Sequence, residues 1–374
     1  MRRCAMVAVL AIATALGGRT LEAHPGHGAR VKASALSSST VLATPRDAGK
    51  LSGQGAMQFR VLYTSERLPD RAREVLVNAH GGFAVDRRPG RGDVYFALPG
   101  AGLIRISADL HSIELLETNP AMRDENMHNT TLWEAADGTP YLSLPANDAG
   151  RIYTTTLGGA LVETLEAPTR ATDLGHPHVN DYFSAGGNFT PTDVEHLDGL
   201  LYVTTGYSDL DWVLTANVSG SAPPAMSWND LAFGGRGTEP GQFGTGHGVT
   251  VVNGPNVRID IADRPNAEID RFTPEGRYLS TVTLPAGSFP CDIDHLDGYS
   301  VIGALYGPDH DKGAPVYVLE GNRVISEIWP QAELGLENFQ HIHNAVFHRV
   351  DGRFYIIMQA WNPGDFAVLE QVTE

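Results

Sequence analysis

Two cysteines in 374 residues are too few for a disulfide framework. Cys4 sits ahead of an apolar run near the N-terminus, the wrong place for a lipid-anchored cysteine, and Cys291 is otherwise alone. Without covalent staples the fold must rest on a large hydrophobic core, which 42% apolar residues can supply. Basic residues are also scarce, 27 Lys and Arg against 44 Asp and Glu, for a formal charge of −17. So acidic a surface repels phosphate backbones and anionic lipid, which speaks against nucleic-acid or membrane-surface partners. No stretch beyond the N-terminus is long and apolar enough for a membrane span. Convincing helical periodicity is missing as well.

What is present begins with a targeting pattern. Arg2 and Arg3 precede an apolar stretch, residues 5–16, too short to cross a bilayer, and small residues lead to a junction between Ala23 and His24. Residues 1–23 are therefore expected to be a signal peptide and the product to be secreted or periplasmic. Losing that segment takes away three arginines and one glutamate and moves the charge from −17 to −19. Residues 24–55, rich in Ser, Ala, Gly and Thr, read as a flexible leader that carries His24 and His27 in HPGHG. Residues 56–374 form the expected folded domain.

That domain reads as all-β. Short β-rich runs, among them DVYFAL (93–98), LLYVT (200–204), VRIDIA (257–262) and RFYIIM (353–358), are separated by turns, with Asp-Gly pairs at 137, 198, 297 and 351. The runs recur as six units of roughly fifty residues, each opened by a marker: His80 in AHGGFAV, His128 in MHNTTLW, Thr192 in PTDVEHL, His247 in GHGVTVV, Cys291 in PCDIDHL and His343 in IHNAVFH. This is the pattern of a six-bladed β-propeller. Innermost strands line the central channel of a propeller, so equivalent residues at their starts would ring one mouth of the axis. The segment MQFRVLY (57–63) is expected to complete the last blade.

Three imidazoles converging from separate blades make an open zinc site with room for water or substrate. His128, His247 and His343 are the candidate ligands. His80 and His341 could extend the set or orient it, and a Cys291 thiolate would add a soft ligand. Copper and iron are alternatives to zinc at such a site. Asp193 and Asp292 directly follow their markers, as supports of the ring or as turn caps.

Residues 241–279, GQFGTGHGVTVV through IADRPNAEIDRFTPEGRYL, resemble an NHL repeat, and PTDV with LLYVTTGYS (191–208) resembles another. Within NHL-like propellers the units resemble the lyase domain of peptide-amidating enzymes, peptidyl-α-hydroxyglycine α-amidating lyase. The resemblance implies zinc on His128, His247 and His343, an active-site tyrosine at Tyr207 and an active-site arginine at Arg264. It also implies a structural calcium in the channel. The sequence departs from that family at three places: DVYFALPG (93–100) lacks the second arginine, His341 replaces a methionine, and Asn344 replaces an aspartate that helps hold the calcium.

The function expected is a zinc-dependent lyase acting on a carbinolamide-like small molecule or peptide. The alternative is a non-catalytic secreted propeller that binds a ligand or partner through its loops, with a structural axial metal.

Overall fold

A computed structural model of the chain describes residues 49–169, 174–220 and 222–372. The segment read as a signal peptide, His24, His27 and most of the segment read as a leader lie outside these. Within them the chain forms six antiparallel sheets, five of four strands and one of five. The innermost strands are Phe83–Val85, Thr131–Glu134, Asp193–Leu197, Gly246–Val252, Pro290–Leu296 and Ile342–Val350, and each packs beside the next in cyclic order, the last returning to the first. The protein is a six-bladed β-propeller.

The local chemistry explains the hairpins. Three Asp-Gly pairs, at Asp198, Asp297 and Asp351, have positive φ at both residues, the geometry of a type I′ turn. Each joins directly paired residues: Leu197 with Leu200, Leu296 with Tyr299, Val350 with Arg353. These tight turns fix the register between the innermost strand and its neighbour in blades three, five and six.

A propeller sheet faces a neighbouring blade on both sides, so its strands are buried on both faces. Val94–Leu98 is buried at every position. Each interface between blades accordingly carries its own apolar cluster. Between blades six and one, Phe366 stacks on Phe96 with centroids 5.5 Å apart.

Blade six is made from both ends of the chain. Met57–Thr64 pairs with Asp365–Gln371, which confirms the closing role read from MQFRVLY. A fifth strand, Ser52–Gln54, lies at the end of the segment read as leader. It forms because it folds back antiparallel on Met57–Thr64 and because Ser52 Oγ accepts the Trp329 amide at 2.8 Å, tying it to blade five. Among the described residues no helix is long and apolar enough to cross a membrane.

Candidate metal and proton-transfer site

The markers meet at one mouth of the axis. His80, His128, His247 and His343 are all buried, none more than 2% exposed. The His80 ring lies 4.4 Å from both His128 and His343 by centroids, and His247 lies 4.8 and 5.0 Å from the same two.

Backbone carbonyls of the following blade orient these rings. Nδ1 of His128 donates to Thr192 O at 2.5 Å, Nδ1 of His247 to Cys291 O at 2.6 Å, and Nδ1 of His343 to Gly81 O at 3.2 Å. A carbonyl only accepts, so each Nδ1 carries the hydrogen. In a neutral ring Nε2 is then left with its lone pair. The Nε2 atoms of His128 and His343 stand 3.1 Å apart. Two lone pairs at that distance repel unless a cation lies between or beside them. Tetrahedral zinc with Zn–N bonds of about 2.0–2.1 Å holds its nitrogens at roughly 3.3 Å. The donor set fits such an ion.

Among the described residues, the histidines whose ligand atoms all lie within 4.8 Å of one another are His80, His128 and His343. His247, expected as the third ligand, stands beside this trio. Its Nε2 is 3.0 Å from the Tyr207 hydroxyl, and Arg264 Nη1 donates to that hydroxyl at 2.6 Å. The Tyr207 proton therefore points to His247. Burial pushes the Tyr207 hydroxyl up, with Arg264 opposing, and leaves it a phenol. Burial, then the charges of Arg264, His128 and His343, hold His247 well below the usual histidine range. His247 is a neutral acceptor.

The remaining candidates fall around this centre. Cys291 is engaged elsewhere: Arg264 Nη2 lies 3.1 Å from its Sγ, which in turn lies 3.3 Å from Ile342 O. Burial raises its thiol. His341, half-buried, places Nδ1 3.1 Å from Asn362 O and 3.2 Å from Trp361 O. Trp361 bridges the two groups, its ring 5.7 Å from both His80 and His341.

One layer deeper, the residues after the markers form a polar floor that sequence reading found only in part. Asn344 Nδ2 donates to Asp292 Oδ2 at 2.8 Å and Asn129 Nδ2 to the same oxygen at 3.4 Å. Asp193 accepts the Val249 amide at 2.8 Å. Burial raises Asp292 to about 6, with the charge of Asp294 adding to it, and raises Asp193 well above the carboxylate range, with the charge of Asp292 adding to it. Asn126, which contacts His80 Nδ1 and donates to Asn147, also went unread. The repeat phase of Asn129 and Asn344, one place after a marker, was the available signal. Beyond this floor a cavity of about 1000 Å³ opens at the opposite mouth, lined by Trp133, Glu195, His196 and Asp294 among others. None of His80, His128, His247 and His343 lines it.

No family model and no curated protein matches the sequence. Among solved structures the chain is similar to a streptogramin B lyase, at 16% identity over 77% of this chain and 92% of that one, TM-score 0.44. It is similar to a protein assigned as a gluconolactonase, at 13% identity over 89% and 98%, TM-score 0.49. It is also similar to an inactive histidine-to-alanine variant of virginiamycin B lyase from Staphylococcus aureus with quinupristin, at 13% identity over 90% and 100%, TM-score 0.44. The β-propeller architecture is read from the chain's own six sheets.

Proposed function

We propose that the chain is a zinc-dependent propeller lyase acting at the histidine-lined mouth on a carbinolamide-like substrate of the peptidyl-α-hydroxyglycine type. The 3.1 Å approach of the His128 and His343 Nε2 atoms, each oriented through its Nδ1, is the observation that carries the metal. Zinc held there would supply a Lewis acid for the substrate hydroxyl oxygen.

The chain's own groups account for the proton. In a carbinolamide cleavage the hydroxyl loses a proton, its C–O becomes C=O, the C–N bond breaks and the nitrogen gains a proton. Tyr207, between Arg264 and His247, is the group that moves it. Arg264 has its two terminal nitrogens on Tyr207 and Cys291, which favours holding Tyr207 in place over anchoring a substrate carboxylate.

His80 supports a second reading. Its ring is as close to His128 and His343 as those two are to each other, so with His247 it could supply a fourth ligand and close the site. A closed site would be structural, and the protein a binder. Elemental analysis joined to turnover of α-hydroxyglycine compounds, with and without a chelator, separates the two. Zinc at one per chain with chelator-sensitive release of glyoxylate supports the lyase. Zinc without turnover supports the binder, and absence of bound metal in protein purified without chelator sinks both.

A further inference from the structure

We infer that Asp263, Glu268 and Asp270 form a separate site for a hard divalent cation, calcium in the first place, buried between blades three and four. Asp263 lies directly opposite Glu268 in the sheet, and Asp270 follows two residues along, so all three project from one face. That face also carries Ile259, Ile261 and Phe272, which pack against Tyr202, Val213 and Phe233 of blade three.

Each carboxylate offers an oxygen within 4.8 Å of the others. Oxygens bound to one calcium at about 2.3–2.6 Å can stand no more than roughly 5 Å apart, so one ion reaches all three. Asp263 and Asp270 are fully buried, while Glu268 is half-buried and opens the site towards solvent.

A second observation points to an absent ligand. Asp270 Oδ1 accepts from Thr281 Oγ1, but its buried Oδ2 has no hydrogen-bond partner. Buried Oδ2 of Asp211 likewise has none; the other oxygen of Asp211 accepts the amide of Gly246, the residue paired with Asp263. Among the described residues no basic side chain pairs with Asp263, Glu268 or Asp270. The opposite face of the same strand shows how this fold treats a buried acid when it needs no ion: Asp260 is ringed by Arg258, Arg271 and His295.

Burial raises Asp263 and Asp270 to about 6 and Glu268 to about 7, with the neighbouring acids adding to the rise in Asp263 and Glu268. A divalent ion relieves both costs. It would also brace the turn after Asp263, which carries Arg264, and the Gly244 and Thr245 amides that donate to Asp263.

The test is a calcium titration of the full chain after dialysis against EGTA, followed by calorimetry and by thermal melting. One calcium per chain with a rise in Tm is expected. Glu268→Gln should weaken binding at least tenfold. Glu268→Lys should abolish the response while raising the Tm of calcium-free protein, because its ammonium takes the place of the ion. Should Glu268→Gln fail to fold, Asp270→Asn reads the same loss. Zinc content should be unchanged in every variant, so failure here is distinct from failure at the axis. Absence of heat and of a Tm shift up to about 10 mM calcium overturns the site. So does a calcium response identical in wild type and variants, which would place the ion elsewhere.

Discussion

His128, His247 and His343 share one orienting device, an Nδ1 hydrogen donated to a carbonyl of the next blade, yet their Nε2 atoms do different things. Two face each other and the third accepts from Tyr207. His343→Ala should therefore release bound zinc entirely, measured by elemental analysis of the dialysed protein. His80→Ala and His247→Ala then define the ligand set: the residue whose loss lowers zinc affinity more completes the site. Tyr207→Phe should keep the metal and lower kcat by about 10²–10⁴-fold, with KM nearly unchanged. The histidine positions were legible because they recur at one phase of a repeat. The Tyr207 to His247 contact was not, because residues 40 apart meet only when blades three and four close.

At the scale of the element, the innermost strands pack so tightly around the axis that small residues become obligatory. A Cβ on Gly248 would lie 2.6 Å from both Asp292 Oδ1 and the Cys291 carbonyl. Gly248→Ala should cost about 1–3 kcal/mol in urea unfolding, as an overpacked site that disturbs the polar floor and the His247 acceptor together. Strands such as 93–98 and 200–204 were legible from composition and from the Asp-Gly turns. The blade-four carboxylates were hidden, because Asp263, Glu268 and Asp270 read as ordinary strand polars until the register sets them on one buried face. Ser52–Gln54 was missed for a related reason: three residues without apolar alternation become a strand only through Met57–Thr64 and blade five.

For the whole molecule, closure and ionisation decide stability. Deleting residues 1–64 removes two strands of blade six, and the product should lose cooperative unfolding and aggregate, as followed by near-ultraviolet circular dichroism and size-exclusion chromatography. Buried acids shape the pH response. Asp263, Asp270 and Asp292 titrate near 6, Asp211 and Glu268 near 7, and Glu195 near 8, burial being the largest cause in each. A carboxyl raised on folding favours the folded state when protonated, so its contribution is lost as pH climbs through these values. Histidines act in the other direction. Burial holds His196 near 4 and lowers His247 and His348, so their contribution is lost as pH falls below about 6.5. The raised carboxyls outnumber the lowered histidines, so the urea midpoint in EGTA should fall as pH rises from 6 to 8, and calcium should restore much of the loss at pH 8.

Blade six, assembled from Met57–Thr64 and the last strand Asp365–Gln371, has a consequence in time. A chain growing or emerging from its N-terminus supplies Met57–Thr64 long before its blade-six partner Asp365–Gln371. Five blades can assemble while the sixth waits, so the propeller ring closes only once Asp365–Gln371 is available. A metal held as proposed above would then be captured late, after Asp365–Gln371 has closed the ring.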